Sequence, residues 1–552
     1  MAEVSEVWGR AGSRLAGRRD FRAARLGLLV LVSLAVYAPF LASERPLYLH
    51  AVHRGDFERA RRALAPVTES LAALLARTEA EFEAARPPDS SQDLRAARAA
   101  ERSSLAARLA LLRRHLEPEP AARVDGFERE LDAALAGPGG AGASPVLVEH
   151  ARALAAELDP AHLGLRPARS FPLFAALTPL EVGLALGWSL VLFLPLLARR
   201  LGPARALGLA VLAGVLAGCA WRVGVGAGGA FHTASFKEQL TRGEIEATRV
   251  LFAPIPFGFA EQHPEESLRP PTWLASSELD ERGAYVHGAR APRPDPVTGF
   301  VPGTRPVEVR AGEPALNSPR RHPLGTDSTG RDLLARALHG ARTSLAVGCL
   351  ATAILVSIGV VVGSVAGYFG GALDLVLSRL IEVVVSVPLF FLVLVAVAFV
   401  GPSMWNVIGV LGCVGWTGVA RLARAEFLRQ RELEYVAAAR ALGFGWARIV
   451  FRHVLPNTLA PLLVAATFSV AGAILVESAL SFLGYGVRVP ISSWGALSSE
   501  SRELTNWWLQ LFPGLFLFAT VLCVQLLGDA LREALDPRAF GAGTAATSEA
   551  AR

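Results

Sequence analysis

Residues 432–457 read ELEYVAAARALGFGWARIVFRHVLPN, and the apolar run TLAPLLVAATFSVAGAILVESALSFL follows directly as residues 458–483. A run of this length and composition can cross a bilayer as a helix. The polar stretch before it predicts two short helices. Glu434 suits the positive end of the first helix, Gly443 is a natural left-handed cap, and Pro456 is expected to end the second. The sequence therefore predicts a membrane protein with a helix-break-helix loop beside one of its spans.

The second short helix of this loop, residues 446–454, is amphipathic. Helical spacing separates an apolar side from a basic one, formed respectively by Trp446, Ile449, Val450 and His453 and by Arg448 and Arg452. A short amphipathic helix that projects from a membrane protein suits docking in the groove of a partner. An interfacial helix that lies on lipid headgroups fits the same pattern equally well.

Composition also favours a membrane protein. Of the 552 residues, 52% are hydrophobic and only 19% charged, whereas soluble domains have about 25% charged residues. The net charge of +6 rests almost entirely on arginine, which GC-rich coding sequences also enrich, so nucleic-acid binding gains little support. The cysteines lie in apolar runs and indicate neither a disulfide framework nor a metal cluster: Cys219, Cys349, Cys413 and Cys523.

Eight apolar windows predict an all-α polytopic membrane protein. They are residues 26–43, 180–198, 206–221, 344–367, 375–400, 405–420, 458–483 and 509–527. The third and sixth windows are short. The first also fits a cleaved signal peptide, although it is longer than a typical signal core.

Arginines decide the predicted orientation, because basic residues are retained on the cytoplasmic side. Three clusters precede the first window, separate the second from the third, and follow the sixth: Arg10, Arg14, Arg18, Arg19, Arg22 and Arg25; Arg199, Arg200 and Arg205; Arg421, Arg424, Arg429, Arg431, Arg440, Arg448 and Arg452. Eight spans place all three clusters in the cytoplasm, together with both termini.

The spans divide the chain into predicted regions. Residues 44–178 contain helical patterns and form a small extracytoplasmic helical domain, with a solvated helical linker as the alternative. Residues 223–342 are rich in proline and fit loops or short strands better than helices. The predicted order is therefore 1–43 (N-terminus and first span), 44–178, 179–222 (two spans), 223–342, 343–530 (core with the cytoplasmic loop 421–457) and 531–552 (cytoplasmic tail).

No segment supplies the chemistry of an enzyme. Residues 325–332 reproduce the glycine spacing of a phosphate loop, but Arg331 and Asp332 stand where the lysine and the magnesium-binding hydroxyl are needed. The 11 histidines are scattered and form no recognisable metal-ligand or hydrolytic motif. We therefore expect no cofactor and no metal, and any ATP-driven work must come from another polypeptide.

Ionisable residues near the spans have two interpretations each, since charges within lipid are costly and often functional. Arg379 and Glu382 are three residues apart, so they can pair along one helical face, and pairing is favoured over solute contact. Glu477 is placed near the outer boundary. With Ser478 and Ser481 it either orients an outer gate or is an ordinary interfacial carboxylate.

The loop resembles the E-A-A motif of permease subunits in binding-protein-dependent ABC importers of the dipeptide, oligopeptide and nickel group. The positions that match are Ala438, Ala439, Gly443, Ile449, Leu455 and Pro456, while Ala437 stands at the motif's glutamate and Glu434 lies nearby. Further stretches resemble the same group, in the expected order: residues 322–336, 477–484 with 493–496, and 527–538. The resemblance covers about residues 320–540, and the family normally has six spans.

This resemblance implies a type I ABC importer fold, here with about eight spans and an inserted domain, in the bacterial inner membrane. It implies a heterodimer with a second permease, two cytoplasmic ATPases that bind the ATP, and an outer binding protein that delivers peptides or similar solutes. The implied ATPase-coupling residues are Glu434, Ala438, Ala439, Arg440, Gly443, Trp446, Arg448, Ile449, Arg452, Leu455 and Pro456. A membrane-anchored sensor or scaffold is the alternative, supported only by residues 44–178, and a secondary transporter is disfavoured because intramembrane carboxylates are few.

Overall fold

The computed structural model describes residues 18–76, 90–136, 140–159, 165–224, 245–262, 322–488, 490–500 and 504–535, with a few isolated residues between them. It divides into two compact units. The first, the membrane unit, comprises Met1–Ser43, Pro179–Val223 and Phe257–Arg552. The second, the insert unit, comprises Glu44–Thr178 and Gly224–Pro256.

Helices dominate the described residues, and three short strands accompany them. In chain order the elements are α1 (Arg19–Leu41), β1 (Tyr48–Val52), α2 (Arg54–Ala76), α3 (Ser90–His115), α4 (Pro118–Ala136), α5 (Gly140–Glu157), β2 (Ala168–Ser170), α6 (Pro172–Ala176), α7 (Pro179–Leu192), α8 (Leu194–Leu201), α9 (Pro203–Gly224), β3 (Glu246–Leu251), α10 (Leu333–Phe369), α11 (Gly371–Val385), α12 (Leu389–Val400), α13 (Met404–Val414), α14 (Thr417–Arg431), α15 (Glu434–Ala441), α16 (Trp446–Phe482), α17 (Trp494–Ser499) and α18 (Trp508–Ala534).

Six helical segments in the described residues are long and apolar enough to cross a membrane: α1, α9, α10, α13 with α14, α16 and α18. The pair α11 and α12 passes the same test together and raises the number to seven, although the two helices are bent by 81°. The apolar helix α7 has 14 residues and is too short for that test. The expected eight spans are therefore not confirmed.

Prolines explain where predicted spans are interrupted. The window 180–198 is divided between α7 and α8, and Pro195 lies in the first turn of α8. The window 375–400 is divided between α11 and α12, and Pro388 directly precedes α12. Proline cannot donate a backbone hydrogen bond, and its ring disfavours helical geometry in the preceding residue, so both positions favour a break.

Pro456 behaves differently, and its predicted role as a helix end is wrong. The helix continues from Trp446 to Phe482, with a π-helical turn at Val450–Val454. In this wider turn the N–H of Leu455 donates to the carbonyl of Val450. Because the π turn changes the hydrogen-bond register directly before Pro456, the helix accommodates the missing N–H and the span continues into the loop.

Close packing of α10 against α14 organises the membrane unit. Gly359, Gly363 and Gly367 lie at helical spacing along one face of α10. A Cβ added at Gly363 would lie 2.4 Å from the carbonyl oxygen of Ala420 and 2.6 Å from the Cβ of Ala423. The two backbones can approach this closely only where the side chain is a hydrogen, as in other tightly packed membrane helices.

The described part of the insert unit combines four long helices, the short helix α6 and a small sheet. Helices α2 to α5 share one apolar core that includes Phe57, Leu64, Leu109 and Leu154. The antiparallel sheet has the order β2-β1-β3. The sequence indicated the helices and favoured loops or short strands in the proline-rich segment, where β3 lies, but it missed β1 and β2. Residues 272–321 of that segment, and the terminal segments 1–14 and 536–552, lie outside the described residues.

We predict that Gly363→Ala destabilises the membrane unit, because the new methyl group must displace backbone of α14. Overpacking of this kind costs about 1–3 kcal/mol. Gly409→Ala in α13 is the matched control, since its added Cβ meets nothing within 4 Å. Thermal unfolding of the purified protein in detergent should show a lowered Tm for Gly363→Ala alone. Equal Tm values for the two variants would contradict the packing argument.

Candidate coupling loop and outer ion-pair cluster

The loop between α14 and α16 is held in one conformation by a helix cap. Gly443 follows α15 with a φ of +75°, as the sequence predicted. Its N–H donates to the carbonyl of Arg440 over 2.9 Å, and the N–H of Phe444 donates to that of Ala439 over 3.2 Å. These two bonds form a Schellman motif, which satisfies carbonyls at the end of the helix and sets the direction of the chain after it.

An apolar cluster fixes the loop to the spans. We call this cluster the loop core; its buried members are Phe427, Val436, Ala439, Ile449, Val450 and Val454. Tyr368, at the end of α10, packs against it together with Tyr435, Phe444 and Leu455. Since α10, α14, α15 and α16 all contribute side chains, the loop is packed against three spans. Ala439, Ile449 and Leu455, among the predicted coupling residues, thus pack inward.

Apart from Pro456, the other predicted coupling residues lie on the exposed surface of the loop. We call this the docking face; it consists of the exposed residues Glu434, Ala438, Arg440, Gly443, Trp446, Arg448 and Arg452. Leu442 and Phe451 also belong to it, with 72% and 65% exposure, and sequence reasoning missed both. Two exposed apolar side chains on a short polar loop are the signal that could have identified them. Pro456 is half-buried behind this face.

Trp446 was predicted on the apolar side of the amphipathic helix, but it does not pack with that side. Its side chain is 56% exposed rather than buried with Ile449 and Val450. Its ring lies edge-on to that of Phe369, with 5.5 Å between ring centroids. The α10 end thus supports one side of the indole and leaves the other side exposed.

Aromatic rings orient two of the arginines on the docking face. The guanidinium carbon of Arg448 lies 3.9 Å from the centroid of the Phe444 ring, which stacks on His453. The guanidinium carbon of Arg440 lies 5.8 Å from the Tyr368 ring. Such cation-π contacts restrict the side chains and leave their donors available for carboxylates of a partner.

The predicted pair Arg379–Glu382 and the predicted carboxylate Glu477 have different surroundings. Arg379 and Glu382 form an exposed ion pair of 2.6 Å on α11, so their predicted pairing is present. Glu477 on α16 is completely buried. Its carboxylate accepts hydrogen bonds from Ser481 over 2.7 Å and from Ser344 of α10 over 3.3 Å. Glu477 is therefore not the exposed interfacial carboxylate that one interpretation expected.

An ion-pair cluster that the sequence did not reveal lies at the start of α10. Its members are Asp327, Arg331, Arg336 and Glu500, and we call it the outer cluster. The Nε of Arg331 lies 2.7 Å from the Asp327 carboxylate, and Arg336 also pairs with that carboxylate. Both arginines reach Glu500, over 3.0 Å and 2.6 Å. The interaction joins residues about 170 positions apart, which local sequence patterns cannot indicate.

The ionisation of the two carboxylates differs because of their surroundings. Burial by itself raises the pKa of Asp327, but the charges of Arg336 and Arg331 outweigh it and hold this pKa below its usual value. Burial raises the pKa of Glu500 despite the attraction of Arg336, and the neighbouring negative charge of Asp327 adds to the rise. Asp327 is thus the principal anion of the outer cluster.

In the segment whose glycine spacing resembles a phosphate loop, the Asp327 carboxylate accepts hydrogen bonds from the backbone. Asp327 Oδ1 accepts hydrogen bonds from the backbone N–H groups of Thr329 and Arg331, over 2.7 and 3.0 Å. Asp332 caps α10 by accepting from the N–H of Ala335 and also lies 2.8 Å from His322 Nδ1. The backbone N–H groups of Thr329, Arg331 and Ala335 are therefore already engaged by carboxylates of this segment.

Comparisons with known proteins find similar transport proteins. The family described as binding-protein-dependent transport system inner membrane component matches residues 359–541. The dipeptide transport system permease protein DppC of Bacillus subtilis is 40% identical over 220 residues, 39% of this chain and 69% of the relative. The oligopeptide transport system permease protein OppC of Haemophilus influenzae is 41% identical, covering 39% and 70%. An inward-facing structure of the MetNI methionine ABC transporter shows 19% identity and a TM-score of 0.31, covering 36% of this chain and 96% of that one.

The chain belongs to this family of inner membrane permease subunits of binding-protein-dependent ABC importers. It is a multi-pass membrane protein of the transport machinery. The sensor or scaffold alternative is not favoured, because the relatives of the core are transport permeases.

We predict that Asp327→Asn destabilises the membrane unit strongly. It leaves the buried Arg331 and Arg336 with Glu500 as their remaining carboxylate partner in the outer cluster, and removal of one partner from a buried ion pair costs about 3–5 kcal/mol. Glu382→Gln removes one partner of an exposed pair and should change stability by about 1 kcal/mol or less. Chemical denaturation of the two variants in detergent distinguishes them. A small effect for Asp327→Asn would show that the outer cluster contributes little.

The outer cluster should also make stability depend on pH. The folded-state pKa of Asp327 lies below the ordinary value of 3.8. Its stabilising contribution is thus complete above that ordinary value and is lost as the pH falls through the folded pKa. We expect the Tm of the native protein to fall more steeply with acidification below this value than that of Asp327→Asn. Parallel pH profiles would rule out this assignment.

Proposed function

We propose that this permease imports peptides or similar small solutes. It pairs with a second, related permease to enclose the path, receives solute from an extracytoplasmic binding protein, and is driven by two cytoplasmic ATPases that bind the ATP. The observation that carries the proposal is the docking face, a rigidly capped, basic and partly apolar surface attached to three spans. The solute class follows from relatives whose names describe dipeptide and oligopeptide transport.

The docking face is proposed to lie in the cytoplasm. Arginines concentrate around it, as the positive-inside rule requires: Arg421, Arg424, Arg429, Arg431, Arg440, Arg448 and Arg452. The C-terminus is assigned to the same side, because two spans, α16 and α18, separate it from this loop. The outer cluster, at the opposite end of α10, then lies on the extracytoplasmic side.

Contacts within the membrane unit support a seventh crossing. Tyr368 at the end of α10 packs on the loop that follows α14, so both lie on one side of the membrane. Asp374 at the start of α11 also pairs with Arg424 of α14 over 2.8 Å. The chain must therefore cross the membrane an even number of times between the end of α10 and the end of α14. Helices α13 and α14 supply one, so the bent pair α11 and α12 supplies the other and is a broken span rather than a re-entrant loop.

The mechanism follows from the stiffness of these connections. ATP binding closes the ATPase pair, and the docking face moves with the ATPase that holds it. The loop core passes this displacement to α10, α14 and α16, because its side chains are buried and packed without room for independent motion. The close contact of α10 with α14 makes the two helices move together. The spans thereby alternate between inward-open and outward-open arrangements.

We predict that Gly443→Val uncouples transport. A β-branched residue in the left-handed region costs about 1–2 kcal/mol, so the cap opens in part and α16 is misaligned with the ATPase. ATP-driven uptake into proteoliposomes should fall at least about fivefold while the subunits still co-purify.

The control is Gly445→Ala, whose φ of −64° suits any residue and whose added Cβ meets nothing within 4 Å. It should transport normally. Unaltered uptake by an assembled Gly443→Val complex, or a loop that reacts only with extracytoplasmic labels, would refute the proposed coupling role.

A further inference from the structure

On one face of the sheet in the insert unit, apolar and basic side chains lie in successive rows. Residues directly opposite each other on neighbouring strands project from the same face. The register pairs Tyr48 with Leu251, and the rings of Tyr48 and Phe171 lie 5.6 Å apart. Phe171 and Leu251 are 55% and 58% exposed. These three side chains form an exposed apolar row across the sheet.

The next row on the same face is basic. The register pairs His50 with Arg169 of β2 and with Arg249 of β3. Both arginines are exposed. The opposite face is different, because Leu49 and Ala51 are fully buried there. An apolar row beside a basic row on an exposed face is therefore not part of the core of the insert unit.

Chain connections relate the apolar row to the membrane spans. Tyr48 follows the end of α1 at Leu41 by seven residues, and Phe171 precedes the start of α7 at Pro179 by eight. Leu251 lies six residues before Phe257, where the chain returns to the membrane unit. Three connections thus leave the sheet at the edge that carries the apolar row, and each spans at most about 30 Å when fully extended.

We propose that this face is a lipid-binding surface, with Tyr48, Phe171 and Leu251 at the boundary of the acyl chains and Arg169 and Arg249 at the level of anionic phosphates. Aromatic side chains favour this boundary, and arginines bind phosphates through paired N–H groups. Adjacent rows on one face are separated by about 6.6 Å, which matches the headgroup layer of about 5–7 Å on each side of a bilayer.

A second aromatic side chain strengthens the surface. Phe174 of α6 is 40% exposed, and its ring lies edge-on to that of Phe171 at 6.3 Å. Beyond the basic row the charges neutralise each other, since Glu246 pairs with Arg54 over 3.1 Å. The order is thus apolar, basic, and then neutralised charge with increasing distance from the strand ends that carry the apolar row. This order fits one leaflet of an anionic bilayer.

Spin labelling of the full-length protein in lipid vesicles tests the proposal. After replacement of Cys219, Cys349, Cys413 and Cys523, single labels are placed at position 171 and at the control position 146. Val146 is an apolar residue of the same unit with similar exposure, 54%, but it lies on α5. The label at 171 should be accessible to oxygen and shielded from a polar nickel reagent. The label at 146 should show the reverse.

Lipid composition then tests the basic row. A basic residue near an anionic surface strengthens binding about fivefold, so Arg169→Gln with Arg249→Gln should lower the ratio of immersed to aqueous label about 25-fold. This loss is expected in vesicles that contain phosphatidylglycerol and not in phosphatidylcholine alone. An aqueous label at 171 would overturn the proposal. Protection of this label from both reagents would do so as well, because a protein partner would then cover the face.

Discussion

The membrane unit depends on the contact between α10 and α14, where glycine hydrogens replace side chains and the two backbones meet. Lipid provides no hydrophobic force to press helices together, so close packing of this kind contributes much of the association. Helix α10 has 37 residues and is thus about 55 Å long. It reaches from the outer cluster at one end to Tyr368 in the loop core at the other, and links the regions that the proposed transport cycle must coordinate.

Several buried polar groups join the ends of helices to one another. Glu477 joins α16 to α10 through serine hydroxyls, and Ser344 also accepts from the backbone of Trp494. The outer cluster joins the start of α10 to Glu500 after α17. Unpaired charges in these surroundings would be costly, so the ion pairs and hydrogen bonds favour one arrangement of the helix ends. At the loop core, by contrast, α10, α14 and α16 are joined mainly by apolar packing.

The insert unit lies outside the residues that match the permease family. Matches to known permeases cover about two fifths of the chain, and the family match begins at residue 359, beyond the insert. Its four helices form their own core, and interhelical ion pairs such as Arg102–Asp132 and Arg123–Glu157 lie on its surface. The sheet presents the proposed lipid-binding face. A lipid anchor of this kind would restrain the insert without any change in the coupling machinery.

Local patterns in the chain were sufficient for the apolar helices, the helical nature of residues 44–178 and the cap at Gly443, because these depend on composition and on the conformational freedom of single residues. They wrongly predicted a helix end at Pro456, where a π turn preserves the helix. They also did not reveal the 81° bend at Pro388. Hydropathy cannot distinguish these outcomes, since the surrounding helices determine which backbone geometry is stable. The outer cluster, the burial of Glu477 and the rows of the sheet depend on residues far apart in sequence. Their energies arise only after distant segments have been brought together, so folding of the whole chain had to define them.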